Sequence, residues 1–154
     1  PLFTTAYITR DHGYMVYDTL LATDSSFKVQ PQMADVKVSD DKLTYTFTLR
    51  DGLKFHDGAD VTAEDCIASI KRWASRDAMG QKLMTFVKAL AVVDPRTFTL
   101  TLNEPYGFVL ESLGKPSSNT ELVSKGGRKM GRHVKYEVQV WCGASFSTVG
   151  TEAR

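Results

Sequence analysis

The alternation of apolar and polar residues is sharpest between Leu43 and Ala74. Leu43, Tyr45, Phe47 and Leu49 interleave with Thr44, Thr46, Thr48 and Arg50, the period-two pattern of a strand with one buried face. Asp51-Gly52 signals a turn, Leu53-Lys54-Phe55 resumes an extended path, and His56-Asp57-Gly58 turns the chain again. Thr62 is then placed as a helix N-cap. Glu64 and Asp65 put negative charge on the first turn, with Asp65 at the capping-box position. Ile67, Ile70, Trp73 and Ala74 follow at helical spacing and give this helix one apolar stripe.

The flanking stretches carry weaker versions of the same signals. Tyr14, Tyr17, Leu20 and Leu21 predict a helix over Thr9 to Leu21, weakened near its start by Gly13. Asp24-Ser25-Ser26 reads as a loop, Val36-Lys37-Val38 as a short strand, and Ser39-Asp40-Asp41 as the turn into the central strand. After a polar loop at Ser75 to Gly80, the spacing of Leu83, Phe86, Val87 and Leu90 predicts a second helix over Lys82 to Leu90. Ala91-Val92-Val93 and Phe98 to Leu102 flank Asp94-Pro95-Arg96-Thr97 and predict a hairpin. Pro105 is suited to start a short helix, Tyr106 to Leu113, closed by Gly114. The sum is an α+β fold, a small, mostly antiparallel sheet with helices packed on it.

Composition narrows the function classes. A chain of 154 residues suits one domain that buries roughly 70% of its unfolded surface. A net charge of +1 is too balanced to argue for nucleic acid or an anionic membrane as a partner. No apolar run is long enough to span a bilayer. The opening Pro1-Leu2-Phe3-Thr4-Thr5 lacks the basic region and apolar core of a signal peptide, and the chain reads as cut from something longer. Cys66 and Cys142 form no metal or redox motif, and Cys66, on the helix stripe, reads as a small core residue.

Three chemical readings can be weighed from the residues. His12, His56 and Asp57, with Asp60 as a further ligand, would suit a metal-dependent hydrolase, in which convergent side chains hold an ion that activates water. Against it, His56-Asp57-Gly58 lies in a turn, where Asp57 and Gly58 serve backbone geometry. Asp11-His12 suggests a nucleophilic triad, but no Gly-x-Ser-x-Gly elbow accompanies it. Gly126 to Arg132 is basic and glycine-rich, yet lacks the Gly-Lys-Ser/Thr ending of a phosphate loop. The residues therefore predict no enzyme.

The stretch YTFTLRDGLKFHDGADVTAEDCIASIKRW closely resembles the signature of the extracytoplasmic solute-binding proteins of ABC importers, family 5, the peptide-binding type. That signature reads Phe-x-Leu-Arg, then Gly-x-x-Phe-His-Asp-Gly, then Thr-Ala-Glu-Asp opening a helix. It is matched here by Phe47, Leu49, Arg50, Gly52, Phe55, His56, Asp57, Gly58, Thr62, Ala63, Glu64 and Asp65. Cys66 departs from the commoner valine or phenylalanine. Tyr17-Asp18-Thr19-Leu20-Leu21 and the segment Val29 to Ala34 resemble the family's preceding motifs, and the likeness runs from about Thr4 to Asn119.

The resemblance implies one lobe of a type II periplasmic-binding-protein architecture, located outside the cytoplasm. It implies capture of a di- or oligopeptide, or another small solute, for delivery to ABC permease subunits, with neither cofactor nor nucleic acid involved. Two family segments that approach the ligand fall on Thr5, Ala6 and Tyr7 and on Arg76, Asp77, Ala78 and Met79. Tyr7 would supply a stacking face and a hydroxyl, Arg76 a carboxylate partner, and Met79 an adaptable apolar wall. The cleft needs a second lobe, so a partial lobe over residues 1–119 is expected to bind peptides weakly or not at all on its own. Residues 120–154 turn net basic, and all five prolines precede them. This composition change predicts a divergent tail, arising from a frameshift, truncation or expression artefact, and leaves an inactive remnant as a further alternative.

Overall fold

Thr44–Leu49 forms the strand around which the rest is laid down, in a computed structural model that describes residues 18–55 and 57–114. The elements in chain order are β1 (Leu21–Thr23), β2 (Val29–Pro31), β3 (Ala34–Val38), β4 (Thr44–Leu49), α1 (Ala63–Ala74), α2 (Ala78–Phe86), β5 (Val87–Asp94), β6 (Thr97–Leu102) and α3 (Val109–Gly114). β3, β4, β6 and β5 make a four-stranded antiparallel sheet in that order, and β1 pairs with β2 in a separate hairpin. The expected α+β architecture is present.

The sheet's inner face follows the alternation in the sequence. Tyr45, Phe47 and Leu49 of β4 are buried beside Phe98, Leu100 and Leu102 of β6, while the threonines between them face outward. Phe47 lies opposite Phe98, and their rings stack with centroids 4.9 Å apart and planes 9° from parallel. Ile70, Trp73 and Cys66 of α1 and Leu83 of α2 complete the core on this side. A free Cys66 buried there behaves as a small apolar residue, and burial pushes its thiol pKa well above the ordinary range.

The turns between β4 and α1 use the predicted chemistry. Gly52 and Gly58 adopt φ of +78° and +84°, values a side chain rarely tolerates. Lys54 pairs with Asp60 across an isolated bridge. Thr62 caps α1 by accepting the Asp65 amide, while the Asp65 carboxylate accepts from the Thr62 backbone and hydroxyl, so the capping box is closed. The Ala63 amide then donates to the Pro95 carbonyl at 2.8 Å, tying the helix start to the β5–β6 turn. Arg96, in that turn, donates through its guanidinium to the Leu49 carbonyl and pairs with Asp51.

Several predicted boundaries need correction. The Thr9–Leu21 helix lies outside the described residues up to residue 17, and its last part is not helical. Leu21 opens β1 opposite Pro31, and the Leu20 carbonyl accepts from the amides of Gln32, Met33 and Ala34. The two leucines are buried, so tertiary pairing has overridden a local helical spacing. The second helix starts at Ala78 rather than Lys82, because Asp77 caps it. It ends at Phe86 rather than Leu90, because residues 87–90 pair with β6. The third begins at Val109 instead of Tyr106, and Tyr106 stacks on Phe86 at 4.4 Å.

α3 belongs with the small hairpin. Thr23 donates to the Gly114 carbonyl at 2.6 Å, and a Cβ on Gly114 would come within 2.8 Å of Val29. At the hairpin tip Asp24 accepts from the amides of Ser26 and Lys28 and from Gln30. Between them Phe27 sits at φ +59° and is 90% exposed.

Candidate solute-binding site

The α1–α2 corner holds the expected ligand segment. Helix α1 ends with Ser75 as its C-cap, and the amides of Arg76 and Asp77 both donate to the Trp73 carbonyl at 3.0 Å. Asp77 is buried, and one of its carboxylate oxygens accepts from the Met79 and Gly80 amides at 2.8 and 3.1 Å. That is the N-cap geometry, in which a side-chain oxygen satisfies amides that the first helical turn leaves open. Gly80 allows the close crossing of the two helices. A Cβ there would meet the Ala74 Cα at 2.7 Å and the Trp73 ring at 3.1 Å.

This corner presents its side chains unequally. Arg76 is exposed, Met79 half-buried, and Asp77 turned inward onto its own helix. Arg76 and Met79 thus reach the surface to different degrees, whereas the hydrogen bonds seen for Asp77 position the helix. The sequence carried a signal for that second role, since an aspartate directly before a helical run is a strong N-cap. Thr5, Ala6 and Tyr7 lie outside the described residues.

The residues weighed as metal ligands are differently used. Asp57 is exposed and accepts from the Ala59 amide at 3.0 Å, stabilising its turn, and Asp60 pairs with Lys54. His12 and His56 lie outside the described residues. Among the described residues, no cluster of three or more His, Cys, Asp or Glu side chains could hold a metal ion.

A polar cluster, largely buried, stands just before β1. Asp18, Thr19 and Gln32 meet where the small hairpin joins the main sheet. Burial pushes the Asp18 carboxyl up to about 7, against the opposing pull of Arg50 and of the Gln32 hydrogen bond. A lone acid in the run Tyr17-Asp18-Thr19-Leu20-Leu21 was the available hint, since buried carboxylates require partners.

A capped helix pair on a small antiparallel sheet, carrying the strand–turn–helix signature, has the fold of one lobe of a type II periplasmic-binding-protein architecture. The profile of the bacterial extracellular solute-binding proteins, family 5 Middle, matches residues 28–135, and the chain belongs to that family.

Known proteins agree with this placement. A probable peptide ABC transporter periplasmic-binding protein, y4tO of Sinorhizobium fredii, is 51% identical over 108 residues, covering 70% of this chain and 20% of the relative. The glutathione-binding protein GsiB of Salmonella typhi is 35% identical over 144 residues, covering 86% and 28%. The chain thus spans only a fifth to under a third of these relatives. Among solved structures, AgaA of A. tumefaciens R10 in complex with agropinic acid aligns with a TM-score of 0.70 and 26% identity, over 81% of this chain and 26% of that one. DppA of Helicobacter pylori with the peptide STSA aligns at 0.66 and 26%, over 82% and 28%. The family is one of solute-binding proteins, not of enzymes. Among the described residues, no helix is long and apolar enough to cross a membrane.

Proposed function

We propose that this chain contributes part of one lobe of an extracytoplasmic receptor that captures a small peptide-class solute for an ABC importer. The observation that carries the reading is the 51% identity to a probable peptide ABC transporter periplasmic-binding protein. The geometry of the α1–α2 corner supports it. The Asp77 cap fixes the first turn of α2, with Arg76 exposed just before it and Met79 half-buried within it. Arg76 would bind a solute carboxylate through paired N–H donors, and Met79 would adapt to an apolar side chain. Thr5, Ala6 and Tyr7 complete the proposed contact set. The partners in this reading are the solute, the permease subunits and a second lobe that closes over the cleft.

A cleft wall without its opposing wall buries little of a ligand, so the isolated chain is expected to bind weakly. The test is a titration of the chain with glutathione and a panel of di- and tripeptides, followed by amide NMR shifts and calorimetry. The expected result is weak binding with shifts centred on residues 76–79, lost in Arg76→Ala. A sub-micromolar affinity, or shifts that avoid this corner, would overturn the shared-cleft reading.

A further inference from the structure

The small hairpin and the four-stranded sheet meet through a polar cluster whose hydrogen atoms can be counted. Gln32 donates from Nε2 to one Asp18 carboxylate oxygen, and the Thr19 hydroxyl lies 2.8 Å from Gln32 Oε1 and 2.7 Å from the Leu21 carbonyl oxygen. Both of those oxygens are acceptors, and a threonine hydroxyl has one proton to give. With Asp18 ionised, Gln32 must point its NH₂ group at the carboxylate and its oxygen at Thr19. The Thr19 proton is then shared between two acceptors. Among the described residues, the second Asp18 oxygen is buried without a hydrogen-bond partner.

Protonation removes the conflict. A neutral Asp18 donates its new O–H to Gln32 Oε1, once the amide has turned end over end. The two ends of that amide have nearly the same shape, so the reversal requires no extra space. Gln32 Nε2 then donates to Thr19 Oγ1, and the Thr19 proton goes wholly to the Leu21 carbonyl. One proton taken from solvent thus gives each of these three hydrogen bonds one donor and one acceptor, and leaves the second Asp18 oxygen uncharged, which lowers the cost of burying it. We propose that Asp18, Gln32 and Thr19 form a proton-gated relay, in which protonation of Asp18 reverses the Gln32 amide and tightens the junction between the β1–β2 hairpin and the sheet.

The surroundings of Asp18 suit such a role. Its own segment contributes Thr19, the segment entering β3 contributes Gln32, and Arg50 at the end of β4 is the charged group acting on it among the described residues. Arg50 is exposed, so solvent screens its pull on the carboxylate. Burial outweighs that pull and brings the transition to about 7. The relay also sits on structural joints, because the amides of Gln32, Met33 and Ala34 converge on the Leu20 carbonyl and the Arg50 backbone amide donates to the Met33 carbonyl at 3.0 Å.

The decisive experiment follows the Asp18 carboxyl carbon and the Gln32 side-chain amide of the full chain by NMR from pH 5 to 9. Hydrogen exchange at Met33 and Ala34 is measured in parallel and corrected for intrinsic base catalysis. Both signals are expected to move with one shared midpoint near 7, and exchange to become severalfold faster above it. Asp18→Asn should hold the Gln32 amide in its acid-side position and make junction exchange independent of pH. An ordinary carboxylate midpoint near 4, or a Gln32 signal that stays flat through the Asp18 transition, would overturn the relay. The wild-type titration decides the matter by itself if Asp18→Asn does not fold.

Discussion

β6 keeps its alternation from end to end, with Phe98, Leu100 and Leu102 buried and the threonines between them half-buried. β5, joined to it by a tight turn, does not. Its register shifts between Val87 and Ala89 and again between Val92 and Asp94, and Val92 and Val93 stand 43% and 63% exposed. β5 is the more apolar of the two in composition, and what separates them is their neighbours. β6 has β4 on one side and β5 on the other, so both of its edges and its inner face are fixed. Among the described residues β5 is an edge strand with one partner, and bulges of this kind twist an edge away from further pairing. Apolar composition therefore ranks these strands poorly, and position in the sheet ranks them well.

Substitutions along the hairpin test this ranking. Phe98→Ala removes a fully buried ring stacked on Phe47 and is expected to cost about 3–5 kcal/mol in chemical denaturation. Leu90→Ala, at a half-buried site facing Leu100, should cost about 1–2 kcal/mol. Val93→Lys, on the exposed part of β5, is expected to change stability by less than about 0.5 kcal/mol. If Val93→Lys matched Phe98→Ala in cost, β5 would have to be covered, and the contrast between edge and centre would fail. If Leu90→Ala matched Phe98→Ala, the inner face would extend undiminished to the edge, which sharpens the limit differently.

The same contrast explains what could be read in advance. The β4 alternation, the Asp51-Gly52 turn, the Thr62–Asp65 capping box and the Asp94–Thr97 turn were all legible, because each is written in neighbouring residues and satisfied by them. The helix over 82–90 was misplaced because Leu83, Phe86, Val87 and Leu90 fit a helical period. Only the presence of β6 decides that the chain extends from Val87 onward. The end of the first predicted helix went the same way, with Leu21 claimed by Pro31 across the small hairpin. At the candidate site, Arg76, Asp77 and Met79 lie together because they are contiguous, but the division of labour among them was hidden. Asp77 is drawn inward by two open amides of α2 while Arg76 stays in solvent. Asp18 was the least legible of all, since nothing local says that Gln32, fourteen positions on, will meet it.

The pairing of β4 with β6 has a consequence for how fast this chain finds its fold. Phe47 and Phe98 face each other although they stand about fifty residues apart, with α1 and α2 both inside the connecting stretch. A hairpin such as β5–β6 assembles in about 1–10 μs, but the central pair must wait for that long stretch to close and to lose its freedom. The two helices shorten the effective loop if they have already formed, and their caps at Thr62 and Asp77 favour that order. The stacked rings at the middle of the sheet thus mark a late step of assembly, gated by helices that lie outside the sheet.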